Sequence, residues 1–125
     1  MTKKKAPAKP KPKLTEKQIE TAILGFLSSI NGCKAWKNQT TGIFDPTRKV
    51  YRSLKGRYSG KGSADILACL GGWFIAIEVK KPTGSVVSIH QYKFLEEIRN
   101  AGGVAFIARS VDDVKRTLLE LNLIE

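Results

Sequence analysis

The stretch GSADILACLGGWFIAIEVKK, residues 62–81, decides the fold because it holds two apolar runs around a double glycine. The runs 65–70 and 73–80 predict two strands, and Gly71-Gly72 predicts a tight hairpin turn, since glycine accepts the positive φ that such turns need. Charged groups beside a core are costly unless they are paired or hold a metal. Three charged residues nevertheless lie within the two runs: Asp65, Glu78 and Lys80.

The predicted hairpin would bring the two acids together. If Gly71 and Gly72 form the turn, Leu70 pairs with Trp73, and continued pairing places Asp65 opposite Glu78. Opposed side chains have Cβ atoms about 5 Å apart, so two like charges there repel. A divalent cation would reverse that effect, and Mg²⁺ prefers carboxylate oxygens, water and phosphate.

Lys80 follows Glu78 by two residues, which puts it on the same face of the strand. We therefore predict a metal site at Asp65 and Glu78 with the Lys80 ammonium beside it. Taken singly, each residue has an ordinary alternative: Asp65 as a strand-end acid, and Glu78 with Lys80 as an exposed ion pair. A longer turn or a bulge would also displace Asp65 from Glu78.

The rest of the chain predicts a mixed α/β domain with a central sheet flanked by helices. A helix capped by Thr15 is expected to reach about Ile30, with a short strand over 33–39 and a long loop over 40–61. After the hairpin come a helix over 89–100, a buried strand over 104–108 and a last helix that starts at Ser110. The resulting order is α-β-β-β-α-β-α. The apolar face of the middle helix is predicted at Ile89, Tyr92, Leu95 and Ile98.

Two helices carry polar residues that could join the site. On the first helix, Glu16 and Glu20 both fall inside the apolar arc at a period of 3.6 residues. Glu20 is preferred for the site, but Glu16 stays open, since an acid in the first turn also suits the helix dipole. On the second helix, Gln91 follows Ser88 by three residues, so it either completes a capping box or serves the site. His90 is expected to be exposed.

The charge indicates a polyanionic partner. Lys and Arg total 22 against 11 acids, a net charge of +11. Residues 1–13 contain six lysines and no acid and predict a disordered basic arm, which leaves residues 14–125 as one domain. Basic residues interleaved with aromatics over 34–61 predict nucleic-acid binding, although a solvated loop is the alternative. The cations expected to contact nucleic acid are Arg48, Arg52, Lys55, Arg57 and Lys61.

The sequence also argues against several other classes. No run of about 18 apolar residues could span a membrane, and the basic N-terminus lacks the apolar stretch of a secretory signal. Cys33 and Cys69 have no His or Cys at metal-ligand spacing, which predicts a reduced, cytoplasmic protein rather than a disulfide scaffold.

Asp65 followed by Glu78-Val79-Lys80 resembles the D…E-x-K core of the PD-(D/E)XK nuclease superfamily, whose restriction-endonuclease-like core has a similar element order. Within it, the chain is most similar to the VRR-NUC (virus-type replication-repair nuclease) family, on the helix Glu, the KGSADIL approach, E-V-K-K, and Gln91 in SIHQYKFL. The likeness covers about residues 14–115. Ala64 stands where the superfamily name has Pro.

This resemblance implies a DNA endonuclease that depends on Mg²⁺, with Mn²⁺ as a substitute, and that leaves 5′-phosphate ends. It implies Asp65, Glu78, Glu20 and the Val79 carbonyl as metal ligands, Lys80 as the residue that orients the attacking water, and Gln91 as an auxiliary residue. It also implies a homodimer, selectivity for branched or four-way-junction DNA, and a phage or mobile-element origin. The alternatives are a non-catalytic nucleic-acid-binding protein on this fold and, third, a restriction-type enzyme.

Overall fold

Four strands form the sheet that carries the predicted hairpin. The computed structural model describes residues 13–38, 43–52 and 62–125. Within them the sheet runs in the order β1-β4-β5-β6, and β2 pairs with β3 in a separate hairpin. The elements are α1 (Glu16–Ser28), β1 (Cys33–Lys37), β2 (Ile43–Asp45), β3 (Val50–Arg52), β4 (Ile66–Leu70), β5 (Trp73–Val79), α2 (Ile89–Asn100), β6 (Val104–Ala108) and α3 (Val111–Glu120). Apart from the β2–β3 hairpin, the order is α-β-β-β-α-β-α, as predicted.

The predicted register of the β4–β5 hairpin is confirmed. Leu70 pairs with Trp73, and the antiparallel ladder continues to Ile66 with Ile77. Gly71 and Gly72 have φ values of 56° and 87°, the two positive values that a type I′ turn requires. Strand β6 joins β5 in parallel, and helix α2 forms the crossover between them, as parallel neighbours require.

Helices cover both faces of the sheet at β5, which explains why WFIAIEV is an almost continuous apolar run. Helices α1 and α3 cover one face and α2 covers the other. The α1/α3 core includes Ile19, Ile23, Leu27, Ile66, Ile75, Ile77, Val114 and Leu118. The smaller α2 core consists of Ala64, Ala76, Leu95 and Ala105, with Leu67, Phe94, Ile98 and Ile107 packed against it. Strand β5 is therefore the most deeply buried, and Glu78 is part of it.

The prediction of a long loop over 40–61 was wrong for residues 43–52, which form the antiparallel β2–β3 hairpin. The β-branched and aromatic residues of IFD and VYR favour strand. The four residues PTRK between them follow Asp45, and Asp-Pro is a turn signal. Each strand has only three residues, so its strand pattern is not recognisable among the polar residues around it. Residues 1–12, 39–42 and 53–61 lie outside the described residues, and so do the predictions made for them.

The predicted apolar face of α2 was only half right. Leu95 is buried and Ile98 partly buried, but Ile89 and Tyr92 are exposed. Helix α2 packs on the sheet through Phe94, Leu95 and Ile98. Its first turn instead presents Gln91 to β5, so a polar contact replaces the apolar one expected there.

Candidate functional site

Asp65 is tied into the sheet by its carboxylate. It directly precedes β4, and its Oδ2 accepts a hydrogen bond of 2.9 Å from the backbone N–H of Val79 on β5. Its own carbonyl accepts from the N–H of Asn38, just beyond β1, at 2.8 Å. A side-chain oxygen thus takes the place of a ladder carbonyl where β4 begins, which fixes the carboxylate beside Glu78.

Glu78 is the buried charged residue among the described ones, and its side chain is 3% exposed. Its Oε1 accepts a hydrogen bond of 2.7 Å from Gln91 Nε2 and lies 3.8 Å from Lys80 Nζ. Its Oε2 is buried and has no hydrogen-bond partner among the described residues. A buried acceptor without a partner is costly, so this oxygen is available for a ligand.

Burial, followed by the neighbouring Asp65 carboxylate, raises the pKa of Glu78 from its ordinary 4.5 to about 8, while the Lys80 ammonium opposes both. The charge of Glu16 on α1 adds a smaller upward contribution to the same pKa. The ion pair with Lys80 therefore does not offset the loss of water and the nearby acid. Without a bound cation, the Glu78 carboxyl is mostly protonated at neutral pH.

Gln91 completes the predicted capping box and also contacts Glu78, while its role in catalysis stays a prediction. Its Oε1 accepts from the N–H of Ser88, and its N–H donates to Ser88 Oγ, which completes the capping box at the start of α2. Its Nε2 donates to Glu78. The two ends of one amide therefore connect the helix cap with the buried carboxylate. His90 is exposed, as expected.

The segment that leads into Asp65 is held from two sides. Gly62 has φ of 77°, and a Cβ there would lie 2.5 Å from the carbonyl oxygen of His90, so only glycine fits against the first turn of α2. On the other side, the Asn38 amide donates to Ser63 Oγ and to the carbonyl of Ala64. Asn38 was not singled out from the sequence, because an Asn after a strand is a common turn residue.

The two acids of α1 lie near different members of the pair. Glu20 Oε1 is 3.6 Å from Lys37 Nζ. Burial raises the pKa of Glu20, with Lys37 opposing and the charge of Asp65 adding to the rise. Glu16 accepts a hydrogen bond of 2.8 Å from Ser85 Oγ and acts electrostatically on Glu78. In residues 13–38, 43–52 and 62–125, no three His, Cys, Asp or Glu side chains converge as a ready metal cage.

The donor set at the pair nevertheless fits a hard cation. Asp65 has its second carboxylate oxygen, Glu78 has the unpartnered Oε2, and both are oxygen donors of the kind that Mg²⁺ and Mn²⁺ take together with water. The side chain of Val79 is buried in the α1/α3 core and its N–H is used by Asp65, so only its carbonyl could add to this set. Asp65 and Glu78 would together supply part of the coordination sphere of such a cation.

The predicted nucleic-acid contacts mostly fall where the structure gives no side chain. Arg48 lies in the β2–β3 turn and is exposed. Arg52 belongs to β3, but the structure does not describe its side chain. Lys55, Arg57 and Lys61 lie outside the described residues.

Among the described helices, none has the length and apolar character to cross a bilayer.

A cleft lined by several cations was missed from the sequence. It has a volume of about 1150 Å³ and lies between the first turns of α1 and α3, beyond the carboxyl ends of the parallel strands β5 and β6. Ligands often bind at such ends in open α/β sheets, and this position was the signal available in the sequence. The cations that line it are Lys13, Lys17, Lys81 and Arg109, and the acids that line it are Glu16 and Asp112.

Comparisons with known proteins agree with this fold. No protein-family model matches the sequence, and no curated protein matches it. A solved structure described as a VRR_NUC domain protein superposes with a TM-score of 0.56 at 18% sequence identity. The match covers 91% of this chain and 93% of that one. The chain is therefore similar over almost its whole length to the fold of a VRR_NUC domain protein.

Proposed function

We propose that this protein is a metal-dependent DNA endonuclease of the PD-(D/E)XK type, most similar to the VRR-NUC family. One observation carries the proposal: the buried Glu78 has an unpartnered oxygen beside the Asp65 carboxylate and an ammonium group. A protein that only bound nucleic acid would gain nothing from a buried carboxyl kept next to a second acid, since neither group attracts phosphate. The likeness in fold to a VRR_NUC domain protein supports the same reaction class.

Asp65 and Glu78 would hold Mg²⁺, or Mn²⁺ in its place, with Glu20 and the Val79 carbonyl as further candidates. When bound, such an ion lowers the pKa of water and offsets charge on the scissile phosphate. Glu20 would have to leave Lys37, 3.6 Å away, to contribute directly. Glu16 has the better charge coupling to Glu78 and remains the alternative acid of α1.

Lys80 would act on the reacting groups directly. Its side chain is 12% exposed and its Nζ lies 3.8 Å from Glu78 Oε1, so it is desolvated and held in place. An ammonium so placed orients an attacking water and stabilises negative charge that develops on phosphate oxygens. Gln91 positions Glu78 through its 2.7 Å hydrogen bond.

The DNA backbone would lie along the basic side of the molecule. Lys13, Lys17, Lys81 and Arg109 line the cleft together with Glu16 and Asp112, and Arg48, exposed in the β2–β3 turn, is a further candidate contact. Such contacts make binding fall steeply with salt concentration. Two copies would be needed to cut both strands of a junction symmetrically, so we propose a homodimer, which sedimentation with and without DNA would test.

The direct test is cleavage of plasmid, linear duplex, single-stranded, flap and four-way-junction DNA with Mg²⁺ or EDTA. Glu78→Gln and Lys80→Met are compared with Glu97→Gln and Lys93→Met, which change exposed residues of α2. We expect cleavage only with metal, loss of cleavage in the first two variants, and wild-type rates in the controls. Cleavage in EDTA, or full activity of both site variants, would refute the mechanism. Binding without any cleavage would favour the non-catalytic alternative.

A further inference from the structure

One part of the sheet next to the acid pair is left open by α2. That helix packs on Ala76 and Ala105 of the β5–β6 half. On the same face of the β1–β4 half, Trp36 is 42% exposed and Cys69 is also exposed. Trp36 belongs to neither core cluster. An indole on a flat, rigid strand that takes no part in a core is available to a partner.

The strand register places this indole close to the acids. Trp36 pairs with Leu67 and Lys37 with Ile66, and one position further toward the site the N–H of Asn38 donates a hydrogen bond of 2.8 Å to the carbonyl of Asp65. From strand spacings, the Cα atom of Trp36 lies about 8 Å from that of Asp65. Two nucleotides of a stacked strand advance about 7 Å. A base on Trp36 would therefore belong to a nucleotide within about two of a phosphate at the acids.

The charges around Trp36 suit a nucleic-acid strand. Lys34, which pairs with Cys69, lies on the same face of β1 as Trp36 and is exposed. Lys37 lies on the opposite face, 3.6 Å from Glu20, and residues 33–38 contain no acid. An exposed aromatic ring beside a lysine on a flat surface can stack on a base while the ammonium group contacts a flanking phosphate. The patch thus combines an apolar platform with the charge that the backbone requires.

We propose that Trp36 is a stacking platform for an unpaired base of the DNA strand, close to the scissile phosphate that the proposed function puts beside Asp65 and Glu78. The location of that phosphate rests on the proposed function. A base within a duplex has both faces covered by its neighbours, so Trp36 can stack only on a base that is unpaired or at an end. The site would therefore prefer DNA with single-stranded segments over uninterrupted duplex.

The chain provides a matched control, since Trp73 is also half-exposed but lies on the α1/α3 face by strand alternation. Full-length Trp73→Phe, which keeps Trp36, and Trp36→Phe, which keeps Trp73, are titrated in EDTA with an oligothymidylate and with blunt duplex. We expect the single-stranded probe to quench the fluorescence of Trp36 and not that of Trp73. We also expect Trp36→Ala to lose about tenfold in affinity for it, with Trp73→Ala within about twofold of wild type.

Several results would overturn the proposal: no quenching of Trp36 by bound single strand, equal quenching of both tryptophans, or unchanged affinity in Trp36→Ala. Concentration-dependent self-association that buries Trp36 without DNA would overturn it too, because the patch would then be a contact between copies. Because binding is measured in EDTA, the outcome is separate from catalysis. Quenching without cleavage would refute the nuclease and keep the platform, and cleavage without quenching would do the reverse.

Discussion

Replacing Glu78 with glutamine tests the buried carboxyl at the centre of the site. Its pKa is about 8 in the folded protein against an ordinary 4.5, so the folded state holds a proton there that the unfolded state has lost. The stabilisation from this group is complete below pH 4.5 and is lost as the pH rises through 8. At about 1.4 kcal/mol per pKa unit, the loss between pH 5.5 and 8 is about 3 kcal/mol. The glutamine side chain does not titrate, so the variant should escape this loss.

The assay is urea unfolding in EDTA from pH 5.5 to 8.5 for wild type and Glu78→Gln. The other titrating groups are common to both proteins, so the difference in unfolding free energy isolates Glu78. We expect similar stabilities at pH 5.5 and a variant more stable by about 3 kcal/mol at pH 8 to 8.5. In a parallel titration without EDTA, Mg²⁺ should stabilise only the wild type at high pH. A difference that does not vary with pH would show that Glu78 is not a protonated, buried acid, and the reasoning would fail.

Three further changes probe the surroundings of the pair. Gly62→Ala should destabilise by about 2 to 4 kcal/mol, from the positive φ and from the approach to His90. Gly84→Ala, with a similar φ of 80° but no atom within 4 Å of the added Cβ, should cost only about 1 kcal/mol by the same urea assay. Gln91→Glu keeps a cap acceptor but removes the donor to Glu78. It should cost about 1 to 3 kcal/mol at pH 8, and equal stability would mean that the 2.7 Å contact contributes little. One residue inserted between Gly71 and Gly72 should abolish Mg²⁺-dependent cleavage in a protein still folded by circular dichroism, and wild-type cleavage would contradict a register-set site.

Much of the site was predictable because the hairpin geometry is local. Two glycines with positive φ fix the pairing of β4 with β5, and strand alternation then positions Glu78 and Lys80. Short-range rules of this kind need no knowledge of the rest of the fold. The capping box of Gln91 was readable for the same reason.

What could not be predicted depends on contacts between distant segments. The Nε2 of Gln91 reaches Glu78 only because α2 packs with its C-terminal half on the sheet, and the sequence pattern instead favoured Ile89 and Tyr92 as buried. The role of Asn38 depends on β1 lying beside β4. The short β2–β3 hairpin was missed because each strand is only three residues long. Periodicity is too weak a signal at that length.

The hydrogen bond from the Val79 N–H to Asp65 Oδ2 gives the two carboxylate oxygens of Asp65 different roles. Oδ2 fixes the side chain to the backbone of β5, and the other oxygen would be the one that binds a metal ion. Asparagine could keep the architectural oxygen and lose the charge, whereas alanine would lose both. Under the proposed function, a relative that had lost cleavage but kept DNA binding is therefore expected to carry Asn at this position. The structural role of Asp65 and the role of its negative charge are therefore separated by comparing Asp65→Asn with Asp65→Ala.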